Sequence, residues 1–331
     1  MARSFGIEIE TFHPTMSRAQ VAEKIRETGV NCREEGYNHA TRTWWKIVTD
    51  CSVHGTGTEM EVVSPVLSGD AGIEQLQKVL ECLTAIGCRV NRTTGLHVHA
   101  DARDLTLENW KKLVADYRHY EPVTDSFMPT SRRAQNNRFC KSLRSATTYR
   151  AIMAATTMNE LCYCLNNDRY HKLNLQSYTV HGTVEFRQHS GTVEAAKVLP
   201  WLRLCLALVE KSKAPAAADV HNVTVTTRGK YRPVIQKLVS EGLTLAEAKE
   251  MTGAKNPSFQ IYKAVWAMGL DLKTTRENGT VRYHLTTGNA EGAPAAPERT
   301  ATLAGLMRLA SLAAADVAYF TLRASTFAEA A

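Results

Sequence analysis

The sequence predicts an α+β fold: an antiparallel sheet with interleaved helices, followed by a small C-terminal module of winged-helix type. Short segments with strict apolar–polar alternation recur through the first two thirds of the chain. Helical stretches separate them irregularly and with hairpins, which argues against a doubly wound parallel sheet. Further on, three short helical patterns precede a two-stranded ribbon turning at Asn278-Gly279, a strong hairpin signal.

The first strand is Phe5 to Thr11. Phe5, Ile7, Ile9 and Thr11 share one side, and Gly6, Glu8 and Glu10 the other. Ser17 caps a helix to Thr28, with Val21 and Ile25 on its apolar stripe. Trp44 to Val48 is a strand that runs into Thr49-Asp50-Cys51-Ser52. After a turn at Gly55-Thr56-Gly57, Glu59 to Ser64 forms another strand, stopped by Pro65. Gly72 to Ile86 is a helix, with Leu76, Val79, Leu80 and Leu83 on one stripe. Leu96 to Asp101 alternates as a third strand, and Thr106 caps a helix over Leu107 to Tyr120.

Ser131 to Cys140 has no regular period and reads as a basic loop. Met153 to Cys164 reads as a helix. Lys172 to Tyr178 and Thr183 to His189 read as strands joined by a tight turn at His181-Gly182. Val193 to Lys213 is a long apolar helix around Trp201. The expected divisions are therefore a first domain over 1–213, a linker over 214–230 and a winged helix-turn-helix over 231–287. In that module Asn256 to Trp266 is the expected recognition helix. Residues 288–331 are Ala-rich, with one helix from Ala301 to Arg323 and a tail.

With 44% hydrophobic and 22% charged residues in 331 positions, the chain has the composition of a soluble globular protein. No apolar run approaches the ~20 residues that span a bilayer. The start does not read as a signal peptide, so the expected location is cytoplasmic, with no membrane partner. The eight cysteines form no Cys-x-x-Cys pair and read as reduced core residues. No Gly-x-Gly-x-x-Gly or Walker loop occurs, which sets aside ordinary Rossmann and P-loop nucleotide sites. The net charge is +7, and from Arg228 to Leu285 ten Lys and Arg face five acids. That concentration points to a separate module with an anionic partner.

The chemistry lies on the polar sides of the strands. The first carries Glu8 and Glu10, about 7 Å apart with no cation between them. The next carries Glu59 and Glu61, with Asp50 just upstream. His97 and His99 follow on the third, and Glu185, Arg187 and His189 on the last. On one sheet they would form a face of carboxylates and imidazoles beside an arginine. Acidic oxygens with histidine suit Mg²⁺ or Mn²⁺ better than a thiolate-type zinc site. An arginine fork beside them suits a phosphoryl group or a carboxylate.

Four stretches carry a resemblance: Phe5 to Thr11, the Asp50 loop with Glu61-Val62-Val63-Ser64-Pro65, Thr94-Gly95-Leu96-His97-Val98-His99, and Gly182-Thr183-Val184-Glu185-Phe186-Arg187. Together they resemble the amidoligase family, of the glutamine synthetase and glutamate–cysteine ligase superfamily of carboxylate–amine ligases. The basic loop with Ser131-Arg132-Arg133 and Phe139-Cys140 is similar to the family's mid-chain arginine motif. The resemblance covers residues 1 to about 212.

It implies a glutamine synthetase-like catalytic fold, with helices on one face of an antiparallel sheet and ATP with divalent metal on the other. A carboxylate takes the γ-phosphate to give an acyl phosphate, and an amine displaces the phosphate to form an amide. By the same resemblance Glu8, Glu10, Glu61, His97 and Glu185 hold Mg²⁺ or Mn²⁺, with Glu59 or Asp50 open as a further carboxylate. His99, Arg187 and Asn174 would meet the nucleotide, and Arg187 would neutralise the transferred phosphoryl group. Arg132 or Arg133 would hold phosphate or the acid substrate. The substrates are a carboxylate and an amine, on a small molecule, a peptide or a protein side chain.

Two other readings compete. One is a DNA-binding or regulatory protein on an inactive ligase scaffold; for residues 231–287 a nucleic acid, a protein partner and homo-oligomerisation all stay open. The other is a metal hydrolase using His97, His99 and His189.

Overall fold

A computed structural model describes residues 3–213, 231–240, 242–254, 257, 261, 271–277, 280–286, 302–310, 312 and 314–329. The chain divides into two compact units, residues 1–213 with 301–331, and residues 214–300.

The first unit opens with β1 (Phe5–His13), α1 (Arg18–Glu27), β2 (Cys32–Glu34), β3 (Trp45–Val48) and β4 (Thr58–Val63). Next come α2 (Gly69–Ala85), β5 (Gly95–Asp101) and α3 (Leu107–Ser126). The basic loop holds one 3₁₀ turn, Thr130–Arg132, before three short helices, α4 (Leu143–Ala146), α5 (Tyr149–Ala154) and α6 (Met158–Tyr163). Then follow β6 (Leu173–Asn174), α7 (Ser177–His181), β7 (Thr183–Ser190) and α8 (Ala195–Ser212).

The strands form one seven-stranded sheet in the order β2-β3-β4-β1-β5-β7-β6. Every pairing is antiparallel except β2 with β3, where Cys32 lies beside Trp45 in a parallel bridge. The sheet is therefore mostly antiparallel, where a wholly antiparallel one was expected. Alternation does the rest. Phe5, Ile7, Ile9, Met60, Val62, Leu96, Val98, Val184 and Phe186 are buried in one core with α2, α3 and α8. The intervening residues face the other way.

Several expected elements change shape. The strand predicted over Lys172 to Tyr178 stops at Asn174, because the Asn174 side-chain oxygen accepts the Gln176 N–H at 2.8 Å. That Asx turn starts α7 instead. The His181-Gly182 turn is then a helix end, with Gly182 left-handed at φ 70°. The helix predicted over Met153 to Cys164 is two, since Thr157 caps a fresh start at Met158. Conversely, α3 continues through Pro122 to Ser126.

That extension has a reason. Lys172 is 0% exposed, and its ammonium donates to Glu121 at 2.9 Å and Asp125 at 2.6 Å, both on the last turns of α3. Glu121 also accepts the Leu143 N–H at 2.8 Å, and Asp125 the Gln188 amide at 2.6 Å. The Lys172 carbonyl receives the Arg187 N–H at 2.8 Å. This buried group ties α3, α4 and the β6–β7 edge together. Lys172→Met should cost about 3–5 kcal/mol, because it takes the cation from buried Glu121 and half-buried Asp125. Urea denaturation reads it, and a loss below about 1 kcal/mol would show that water already reaches the group.

The second unit holds α9 (Tyr231–Ser240), β8 (Leu243–Thr244), α10 (Leu245–Thr252), β9 (Asp271–Glu277) and β10 (Thr280–Thr286), with sheet order β8-β10-β9. Thr244 and Glu247 form a capping box on α10, and Gly253 ends it at φ 65°. Glu277 pairs with Thr280 across β9 and β10; the expected turn residues, Asn278 and Gly279, lie outside the described residues. The expected recognition helix, Asn256 to Trp266, lies outside the described residues apart from Pro257 and Ile261.

The last expectation needs more change. Residues 301–323 do not make a single helix: α11 (Leu303–Ala310) and α12 (Ala314–Glu329) take their place. Both belong to the first unit. Leu306, Met307, Ala310 and Phe320 join its core, Phe320 lies 4.8 Å from Phe127, and Asp316 pairs with Arg203 at 3.0 Å.

Candidate active site

The site is built where β4, β1, β5 and β7 lie side by side, on the face away from α2, α3 and α8. Register decides who meets whom. Glu8 stands opposite His97 and Glu10 opposite Glu61, while His99 stands opposite Gly6 on one side and Glu185 on the other.

The contacts are close. His97 Nδ1 lies 2.9 Å from Glu8 and 3.6 Å from Glu185, and its Nε2 3.5 Å from Glu10. His99 Nε2 lies 3.3 Å from Glu8. Its Nδ1 faces the Ser177 and Thr183 hydroxyls at 3.1 and 3.0 Å. Asn174 donates to Glu185 at 2.6 Å, and Arg187 also donates to Glu185. The Phe139 carbonyl holds Arg187 Nε at 3.3 Å. Glu10 accepts the Gly95 N–H at 2.5 Å.

Among the described residues three overlapping donor sets result: Glu8, Glu61 and His97; Glu8, His99 and Glu185; and Glu10, Asp50 and Glu61. Within each, the ligand atoms lie within 4.8 Å of one another. The structure thus brings together Glu8, Glu10, Glu61, His97, His99, Glu185, Arg187 and Asn174. Of the two carboxylates left open, Asp50 falls in a donor set with Glu10 and Glu61. Glu59 falls in none among the described residues, and it accepts the Gly55 N–H at 2.9 Å.

Arg132 and Arg133 part company. Arg132 is 3% exposed, and its guanidinium donates to the Thr94 carbonyl beside Gly95. A Cβ on Gly95 would stand 3.0 Å from both Arg132 and His97, so any side chain there would crowd these two groups. Arg133 turns back to the Met128 carbonyl at 2.8 Å.

His189 does not join Glu185 and Arg187. The β5–β7 register shifts between the Leu96 and Val98 pairings. Past that irregularity Gln188 meets Tyr117 of α3, and the His189 ring lies 5.4 Å from Trp201 of α8. Burial pushes His189 down to about 3. A three-histidine centre of His97, His99 and His189 is therefore not formed.

Electrostatics sort the carboxylates. Burial raises Glu61 well above the usual range, with the charges of Glu8, Glu10 and Asp50 adding to it. Burial would raise Glu8 too, but the charge of His99 and the His97 hydrogen bond hold it well below. For Glu185 burial is likewise outweighed, chiefly by Arg187. Burial opposes charging of His99, and the Glu8 charge overcomes it, so His99 is raised.

Five carboxylates therefore face few cations, and hard oxygen donors with imidazole fit a divalent ion. Glu61 makes this testable. Its folded value is raised, so its contribution to stability is present below the ordinary carboxylate range and lost as pH rises through the raised value. The metal-free protein should lose thermal stability across that window, Glu61→Gln should flatten the loss, and added Mn²⁺ should reverse it. A profile identical in the Gln variant would show Glu61 ionised throughout.

The fold and site together define a mixed α/β protein with a carboxylate–imidazole–arginine centre on one sheet face. A family model described as putative amidoligase enzyme matches residues 1–209, which include every residue of that centre. The chain belongs to this family, and membership supports a ligase enzyme. No curated protein matches the chain.

Sequence reasoning missed the Ser177 and Thr183 hydroxyls beside His99 and the carbonyls of Phe139 and Thr94. Main-chain oxygens leave no trace in residue types. Reading residues 172–178 as one strand hides Ser177.

Proposed function

We propose that the protein is an ATP-dependent carboxylate–amine ligase of glutamine synthetase type. The observation that carries this reading is Glu8, which is shared by two donor sets and faces the charge of Arg187. Glu8, Glu61 and His97 would hold one Mg²⁺ or Mn²⁺, and Glu8 with Glu185 a second beside His99. Glu10 would anchor the Asp50 side. Mg²⁺ keeps part of its shell for substrate phosphates, which suits an open sheet face.

Bound nucleotide would supply the γ-phosphoryl group that makes a carboxylate an acyl phosphate, and an amine would displace the phosphate. Arg187 would neutralise charge on that group, His99 would stand beside it, and Arg132 would close the far end. Asn174 would act on the nucleotide's cation by orienting Glu185. In residues 231–286 the order helix, strand, helix, hairpin supports a winged-helix reading of that unit.

The test is ADP and phosphate release across a panel of acids and amines. Release should require Mg²⁺, an acid and an amine together. Tightly held zinc after native purification, with no release under any combination, would overturn the reading.

A further inference from the structure

The sheet face ends at β6, and a second group of side chains stands beyond it that no role above uses. The basic loop and the turn before β6 meet there. Lys141 N–H donates to the Tyr170 carbonyl at 2.7 Å, and Lys172 N–H returns to the Lys141 carbonyl at 2.9 Å. That brings the Phe139 and Tyr170 rings edge to face, with centres 5.4 Å apart.

Each ring carries an arginine. The Arg138 guanidinium lies 4.5 Å from the centre of Phe139, and that of Arg169 5.5 Å from the centre of Tyr170. Both arginines are exposed. Neither has a carboxylate partner among the described residues. The nearest acid in sequence, Asp168, is taken by Lys141 at 2.5 Å and the Tyr170 N–H at 2.8 Å. Arg187, in the centre itself, touches the same platform. It lies 5.8 Å from the Tyr170 ring and is held by the Phe139 carbonyl.

We propose that Arg138, Phe139, Arg169 and Tyr170 form an outer polyphosphate-binding lip, with Arg187 at its inner end. The proposal rests on the nucleotide reading above. Its physical basis is separation of charge. The metal-binding carboxylates repel phosphate oxygens that no cation screens. A chain of phosphates leaving the centre therefore needs fixed positive charge beyond Arg187, and these two arginines supply it. Attraction to the ring face narrows the freedom of each guanidinium, so less is lost when its fork meets phosphate oxygens. A polyphosphate is favoured over a long acidic polymer because the arginines lead inward to Arg187.

The experiment uses full-length protein and calorimetric titration. The probes are a non-hydrolysable ATP analogue with Mg²⁺, inorganic tripolyphosphate and adenosine. Arg138→Ala and Arg169→Ala should each weaken the analogue and tripolyphosphate about 10-fold, and the double variant about 100-fold. Lysine at either position should restore part of the loss, and adenosine should show no change. If the wild type binds the analogue and the double variant binds it equally well, the lip is wrong and the nucleotide reading survives. If the wild type binds tripolyphosphate through these arginines but not the analogue, the lip stands and the nucleotide reading fails. Tighter binding of an oligothymidylate than of tripolyphosphate through the same arginines would assign the patch to a nucleic acid and overturn the proposal.

Discussion

Glu8→Gln is expected to weaken Mn²⁺ binding and Mg²⁺-dependent turnover by at least about 100-fold, more than loss of a residue that merely orients a ligand. The side chain keeps its size, so the fold should persist. What is lost is one negative charge shared by two donor sets. Gln keeps one acceptor oxygen, so it can serve His97, held at 2.9 Å, or His99, at 3.3 Å, but not both. The histidines then lose the charge that orients them, and both cation positions suffer together. Calorimetric titration with Mn²⁺ reads the first effect and phosphate release the second. Wild-type Mn²⁺ affinity in this variant would place the metal elsewhere.

Arg187→Ala should lower turnover about 1000-fold or more, the scale of a missing arginine in phosphoryl transfer. Its signature differs from that of Glu8→Gln. Mn²⁺ affinity should hold or rise, because Glu185 loses its cation while the carboxylate set stays intact. Arg187→Lys should not restore the rate, since the bidentate fork and its hold on the Phe139 carbonyl are both lost. A lysine variant with wild-type turnover would reduce Arg187 to simple charge balance.

Much of this centre is visible in the chain because a strand's side chains alternate. Once β1, β4, β5 and β7 are placed in one sheet, Glu8, Glu10, Glu61, His97, His99, Glu185 and Arg187 must fall on its polar side. The same parity rule fails at His189, since a register shift of the pairing is invisible to a period of two. That Asp50 rather than Glu59 lies with Glu10 and Glu61 depends on how the loop after β3 folds back, which residue types do not carry. Composition gave no sign that Lys172 would be buried between two acids. Nor did it show that Phe320 would return to the core formed by the first 213 residues.

By itself the sequence determined that four strands carry paired acids, imidazoles and an arginine on one side, and that hydrophobic residues occupy the other. Those are local consequences of backbone geometry, and they need no partner. Only the tertiary structure decided which groups touch: Glu8 between two histidines, Asp50 inside the centre, Arg132 beside Gly95, Arg133 and His189 turned away. Such choices depend on register, bulges and carbonyl positions, which arise only when distant segments pack against one another.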